Sequence, residues 1–154
     1  MKVGILGGTF NPPHVGHLRL AQEVAYVHEL DRVIFIPCFL PPHKTAGETA
    51  APEDRLEMTR RACAGNPLFE DSDVEIARRA TSYTVNTLEI IGSGEHQGLF
   101  FILGADSLRE IHTWKDYRRL FHLSNFIVVG RPGTSFDFAW DSMPDSLRRQ
   151  FVRE

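Results

Sequence analysis

Gly7-Gly8-Thr9-Phe10-Asn11-Pro12-Pro13-His14-Val15-Gly16-His17 is the stretch that decides the fold. It leads out of Lys2-Val3-Gly4-Ile5-Leu6, a short apolar run that reads as a strand buried in a parallel sheet. It leads into Val15, Leu18, Ala21, Val24, Ala25 and His28, spaced as one side of a helix. Pro13 falls where a first helical turn tolerates a residue without an amide proton. The expected order is strand, glycine turn, helix.

That order makes an anion site. Gly7 and Gly8 let the backbone come close to a ligand, so the amides of Gly8, Thr9 and Phe10 can face a phosphate beside the open N–H groups of the helix. His14 and His17 are three residues apart and so fall on one side of the first turn, where both imidazoles can donate to a phosphoryl oxygen as charge builds there. Two histidines can also ligate zinc, but the cysteines, Cys38 and Cys63, show no ligand spacing, and no metal site is assigned.

The chain has 154 residues, enough for one domain with a substantial core, and 42% of them are hydrophobic. A formal charge of −3 gives no general attraction to nucleic acid, so an anion must be held by local groups. Met1-Lys2 runs straight into a strand with no signal-like segment, the cysteines form no disulfide framework, and no apolar run reaches the roughly 20 residues of a membrane span. A cytoplasmic protein is expected. Whether it forms a homo-oligomer is left open.

The eleven-residue stretch resembles the H-x-G-H signature of the nucleotidyltransferase superfamily, whose members join a nucleotide to a phosphate-bearing acceptor and release pyrophosphate. The acceptor must be read from later segments. Arg32-Val33-Ile34-Phe35-Ile36-Pro37 is a second buried strand, parallel to the first, and Cys38 to Glu48 forms the loop beyond it. Lys44 in that loop can reach the same phosphates as His17 as a point charge. Its Pro-x-x-x-Pro-Pro-His-Lys pattern is similar to the segment after the second strand in bacterial nicotinate-nucleotide adenylyltransferases.

A helix is expected over residues 52–64 with Leu56, Met58, Thr59, Ala62 and Cys63 on its apolar side, then a strand near Val74-Glu75-Ile76 among exposed charges. Ser82-Tyr83-Thr84-Val85-Asn86-Thr87-Leu88 opens another helix, with Ser82 or Thr84 as its cap. Leu99-Phe100-Phe101-Ile102-Leu103 is a strand followed by Gly104-Ala105-Asp106-Ser107, where Asp106 can cap a helix, accept ribose hydroxyls, or both. Trp114 is either core or a flat face for a ring. Asn125 to Gly130 is a strand, Arg131 beyond it is a candidate phosphate partner, residues 136–140 are irregular, and 145–154 begin a helix.

The Ser-Tyr-Thr-x-x-Thr and Gly-x-Asp-Ser segments are also similar to that family's. The resemblance implies a Rossmann-like, doubly wound parallel α/β sheet of about five strands, of nucleotidyltransferase type. It implies adenylyl transfer from ATP to nicotinate mononucleotide, with Mg²⁺ bridging phosphate oxygens largely through water. Backbone around Thr84 would meet the pyridine carboxylate, Trp114 would stack on the pyridine, and Gly104, Asp106 and Ser107 would hold the adenosine ribose. Thr9 and Phe10 would serve both substrates. His17 is assigned to charge at the α-phosphate, His14 to positioning phosphates, and Lys44 to the pyrophosphate or acceptor phosphate.

The family's Ser/Thr-rich segment ending in arginine has no good match after Val129, where Ser146-Leu147-Arg148 is the nearest fragment. A truncated form, an incomplete gene product and a weakened enzyme stay open. So do another acceptor, such as nicotinamide mononucleotide or phosphopantetheine, and a catalytically silent nucleotide-binding module.

Overall fold

Strands β1 (Lys2–Gly8), β2 (Arg32–Pro37), β3 (Phe69–Asp71), β4 (Gly98–Gly104) and β5 (Asn125–Val129) all run parallel, in the order β3-β2-β1-β4-β5. They belong to a computed structural model that describes residues 1–41, 47–94, 98–130, 133 and 136–151. The order is that of a doubly wound nucleotide-binding sheet, whose ligands sit beyond the carboxyl ends of the strands where the winding reverses. Here that point lies between β1 and β4, with Leu6 level with Ile102.

Both faces of the sheet are covered, which explains the unbroken apolar runs. Val3, Ile5, Ile34, Ile36, Phe101 and Leu103 share one core, and Leu6, Val33, Phe35 and Ile102 the other. Helices α1 (Val15–Val27) and α2 (Pro52–Cys63) close the second core through Ala21, Val24 and Cys63. The first is closed by α4 (Thr84–Gly92), α5 (Ala105–Glu110), α6 (Tyr117–Leu123) and α8 (Asp145–Arg148), through Leu88, Leu108, Leu120 and Leu147.

Several elements differ from the sequence reading. The strand expected near Val74 is β3, five residues earlier, because Phe69–Asp71 is what pairs with Val33–Phe35. Val74–Arg78 forms a short helix, α3, that buries Ile76 and ends at left-handed Arg79. The irregular stretch at 136–140 is a helix, α7 (Phe136–Asp141), with the Arg109 guanidinium 4.6 Å from the Phe138 ring. The last described helix covers only Asp145–Arg148.

Gly7 and Gly8 do not make the turn. They extend β1 alongside Ile36 and Pro37, and the left-handed residue is Phe10, at φ 48°. Pro13 stands before α1 rather than inside it, since the helix is capped by His14 and starts at Val15.

Candidate functional site

The start of α1 shows why two histidines sit three residues apart. A helix leaves its first amides without partners, and a side chain at the cap or at the third helical residue can take them. Here His14 Nδ1 accepts the Gly16 amide at 3.1 Å, and His17 Nδ1 accepts the His14 amide at 3.1 Å. The two rings stack with centroids 3.8 Å apart. Because each Nδ1 accepts, each neutral ring carries its proton on Nε2, and both histidines present a donor away from the backbone.

Gly16 is needed by the same geometry. A Cβ there would stand 2.9 Å from His14 Cε1 and 3.0 Å from Nδ1, so the ring folds down only over a glycine. Buried Phe10 sets its edge against the His17 ring at a centroid distance of 5.1 Å and fixes that ring from the core side.

Ahead of the helix, neither the Thr9 nor the Phe10 amide meets an acceptor among the described residues. Cys38 donates its amide to Gly8 O at 2.9 Å, carrying the ladder past β2. Its thiol lies 4.0 Å from the Thr9 hydroxyl, and burial pushes it up from the ordinary thiol range, against the pull of the Arg55 charge.

Arg55 is the residue that the sequence reading missed. It is completely buried in α2, where Leu56 and Met58 were expected to face inward and are only half-buried. The buried stripe is Arg55, Thr59 and Cys63, every fourth residue, a spacing that could have marked Arg55 as inward-facing. Its guanidinium donates to Thr9 O, Phe39 O and Ala50 O.

On the other side of β1, the segments of Thr84 and Trp114 are brought together. Thr84 is the first residue of α4, whose cap is Tyr83 with no side-chain bond; neither Ser82 nor Thr84 caps it. The Ser82 hydroxyl accepts the Phe39 amide at 3.3 Å instead. The Lys115 ammonium lies 4.7 Å from the Tyr83 ring, and its neighbour Trp114 packs edge-on to Phe101 at 6.1 Å. Trp114 is half-buried, so it is partly core and partly open.

Glu75 is not the exposed charge expected of it. The Thr87 hydroxyl donates to it at 2.6 Å, and burial raises its carboxyl above the ordinary range although the Thr87 and Ser82 hydroxyls oppose this.

At the end of β4, Gly104 occupies the cap of α5 with no side-chain bond, so Asp106 is not the cap. Asp106 is the second helical residue and is exposed. With Ser107, Arg109, Glu110 and Ser142 it lines an open cleft of about 320 Å³. Lys44 and Arg131 lie outside the described residues. Ser146-Leu147-Arg148 is structural: Leu147 is buried in the core and Arg148 pairs with Asp145 at 2.6 Å inside its own helix.

The cytidylyltransferase-like family model matches residues 5–153. A probable nicotinate-nucleotide adenylyltransferase of Desulfatibacillum aliphaticivorans is 54% identical over 132 residues, covering 86% of this chain and 61% of that protein. One of the same name from Citrifermentans bemidjiense is 45% identical, covering 98% of this chain and 70% of its own length. The chain thus spans roughly three fifths to seven tenths of these relatives.

Among solved structures, the fold is similar to Plasmodium falciparum nicotinic acid mononucleotide adenylyltransferase complexed with NaAD. The TM-score is 0.77 at 17% identity, over 97% of this chain and 71% of that one. The same enzyme complexed with APC gives 0.75 at 16% identity, over 97% and 70%.

Proposed function

This chain belongs to the cytidylyltransferase-like family and, within it, to the nicotinate-nucleotide adenylyltransferases, and from that premise we propose that it transfers the adenylyl group of ATP to nicotinate mononucleotide, as a step of NAD biosynthesis. The observation that carries the reading is the reciprocal cap of His14 and His17 at the carboxyl end of the central strand, next to the Thr9 and Phe10 amides.

In the reaction an acceptor phosphate oxygen bonds to the α-phosphorus while the bond from that phosphorus to the bridging oxygen breaks. Pyrophosphate leaves with the electron pair, and nicotinate adenine dinucleotide forms. The nucleophile is already ionised, so no proton must be removed and no covalent enzyme intermediate is needed. Alignment and charge stabilisation are the protein's share.

His17 Nε2 donates to the α-phosphoryl oxygens as charge grows there, and His14 Nε2 with the Thr9 and Phe10 amides holds the phosphates. The Gly7-Gly8 end of β1 allows the nucleotide to approach closely. Lys44 meets the pyrophosphate or the acceptor phosphate, and Arg131 a phosphate. Asp106 accepts ribose hydroxyls beside Gly104 and Ser107. The Thr84 amide receives the pyridine carboxylate, with Trp114 against the ring.

Nucleotidyltransferases generally use a divalent metal with ATP. Mg²⁺ would accompany the ATP triphosphate and offset its charge; among the described residues no three His, Cys, Asp or Glu side chains are grouped to hold a metal ion. Among those residues, too, no helix is long and apolar enough to cross a membrane, and we place the reaction in the cytoplasm.

The test is pyrophosphate release from ATP and Mg²⁺ with nicotinate mononucleotide, nicotinamide mononucleotide or phosphopantetheine. Release with the nicotinate acceptor alone is expected. Equal release with the nicotinamide acceptor would defeat the acid-selective pocket. Calorimetric ATP binding without product from any acceptor would make the chain a silent nucleotide-binding module.

A further inference from the structure

Arg55 is fully buried, yet among the described residues no ion pair joins it to a carboxylate. Its guanidinium donates to carbonyl oxygens, Nη1 to Thr9 O at 2.8 Å, Nη2 to Phe39 O at 2.9 Å and Nε to Ala50 O at 3.1 Å, and its charge also acts on the Cys38 thiol. Removing a guanidinium from water is unfavourable, and an apolar side chain of similar volume would fill the same space more cheaply. What the guanidinium adds is geometry, because its planar fork fixes three acceptors at once.

The three carbonyls belong to three separate segments: the loop after β1, the loop after β2, and the stretch that enters α2. That last stretch is tied back to the first, since Ala50 donates its amide to Asn11 Oδ1 at 3.0 Å. Phe39 is held from its other side by Ser82, two residues before α4 begins. One buried side chain therefore connects the loop that carries the histidines to the wall on which Thr84 sits.

We propose that Arg55 is a positioning residue for adenylyl transfer, holding the Thr9–Phe10 peptide so that its amide faces the nucleotide phosphate. A planar trans peptide points its N–H opposite to its C=O. With Thr9 O turned toward Arg55, the Phe10 N–H points away from the buried guanidinium. A charged donor on the carbonyl also polarises the peptide, which makes its amide a stronger donor to an anion. Phe10 adopts a left-handed conformation unusual for an aromatic residue, and its ring buttresses His17. Displacing Thr9 would therefore disturb an amide and an imidazole together.

The inference rests on the proposed reaction, and its test separates the two. Arg55→Met keeps volume without donors, and Arg55→Lys keeps charge without the fork. Both are expected to unfold cooperatively, with kcat lowered by about tenfold to a hundredfold, KM for ATP raised, and only minor recovery by lysine. Folded variants with unaltered kcat and KM overturn the proposal, and so does full recovery by lysine, which would reduce Arg55 to a charge. If neither variant folds, the unmutated protein decides. ATP should shift the Phe10 amide resonance and slow its hydrogen exchange, and a Phe10 amide untouched by saturating ATP overturns the proposal. If the unmutated protein releases no pyrophosphate with any acceptor, adenylyl transfer fails, while the Phe10 response to ATP still judges Arg55.

Discussion

His14 and His17 each hold the other's turn of backbone: the His17 ring takes the His14 amide, and the His14 ring takes the Gly16 amide. The same bonds direct both Nε2 atoms outward. In the proposed reaction, helix capping and phosphate recognition would be two ends of one imidazole, and a change at either residue would touch both.

Replacing His17 by alanine removes the proposed transition-state donor and one cap bond. Turnover should fall by at least about a hundredfold, and stability by about 1 kcal/mol. Pyrophosphate release and thermal unfolding measure the two effects. Unchanged turnover in the folded variant would reject the role given to His17.

Gly16→Ala tests the cap without removing either imidazole. The added methyl would overlap the His14 ring, which must swing off its amide and lose a bond worth about 1 kcal/mol. The expected result is a folded protein with impaired turnover, read from the same assay. Wild-type rates would show that the folded-down ring is not the active arrangement.

Trp114 offers its indole partly to the core, through Phe101, and partly to the surface beside Tyr83 and Lys115. Trp114→Ala should raise KM for nicotinate mononucleotide about threefold to tenfold, the range of one aromatic contact, and leave KM for ATP unchanged. Stability should drop by up to about 3 kcal/mol from lost packing, and Trp114→Phe should restore most of both. An equal rise for the two substrates would argue against pyridine stacking.

Burial holds the Glu75 carboxyl above its ordinary value of 4.5. The folded protein therefore keeps this proton to higher pH than the unfolded chain does. Glu75 contributes stability in full below the unfolded value, and that contribution is lost as pH rises through the folded one. Glu75→Gln cannot titrate, so relative to the variant the parent should lose stability as pH rises above the ordinary carboxyl value of 4.5, as followed by urea unfolding. A constant difference across that rise would sink the assignment.

Much of this molecule follows from local pattern. The apolar runs at 2–6, 32–37 and 99–103 can be satisfied only by strands buried on both faces, and the helical spacing after residue 15 gives α1. The H-x-G-H stretch pointed to the carboxyl end of β1, which is where the paired rings stand. Local pattern misled where partners come from elsewhere in the chain. Val74 and Ile76 have strand propensity, but β2 pairs with Phe69–Asp71, and Gly7-Gly8 look like a turn until Ile36 and Pro37 extend the ladder beside them.

Sequence alone determined strands β1, β2, β4 and β5 and the helices that open near Val15, Pro52 and Thr84, because these depend on neighbours within a few positions. Only the tertiary structure decided which carbonyls the buried arginine meets, that Glu75 is half-buried against Thr87, and that each histidine ring is spoken for at Nδ1. The Arg55 bonds join segments up to 46 residues apart, and the spacing in α2 that turns this residue inward does not say which carbonyls it meets.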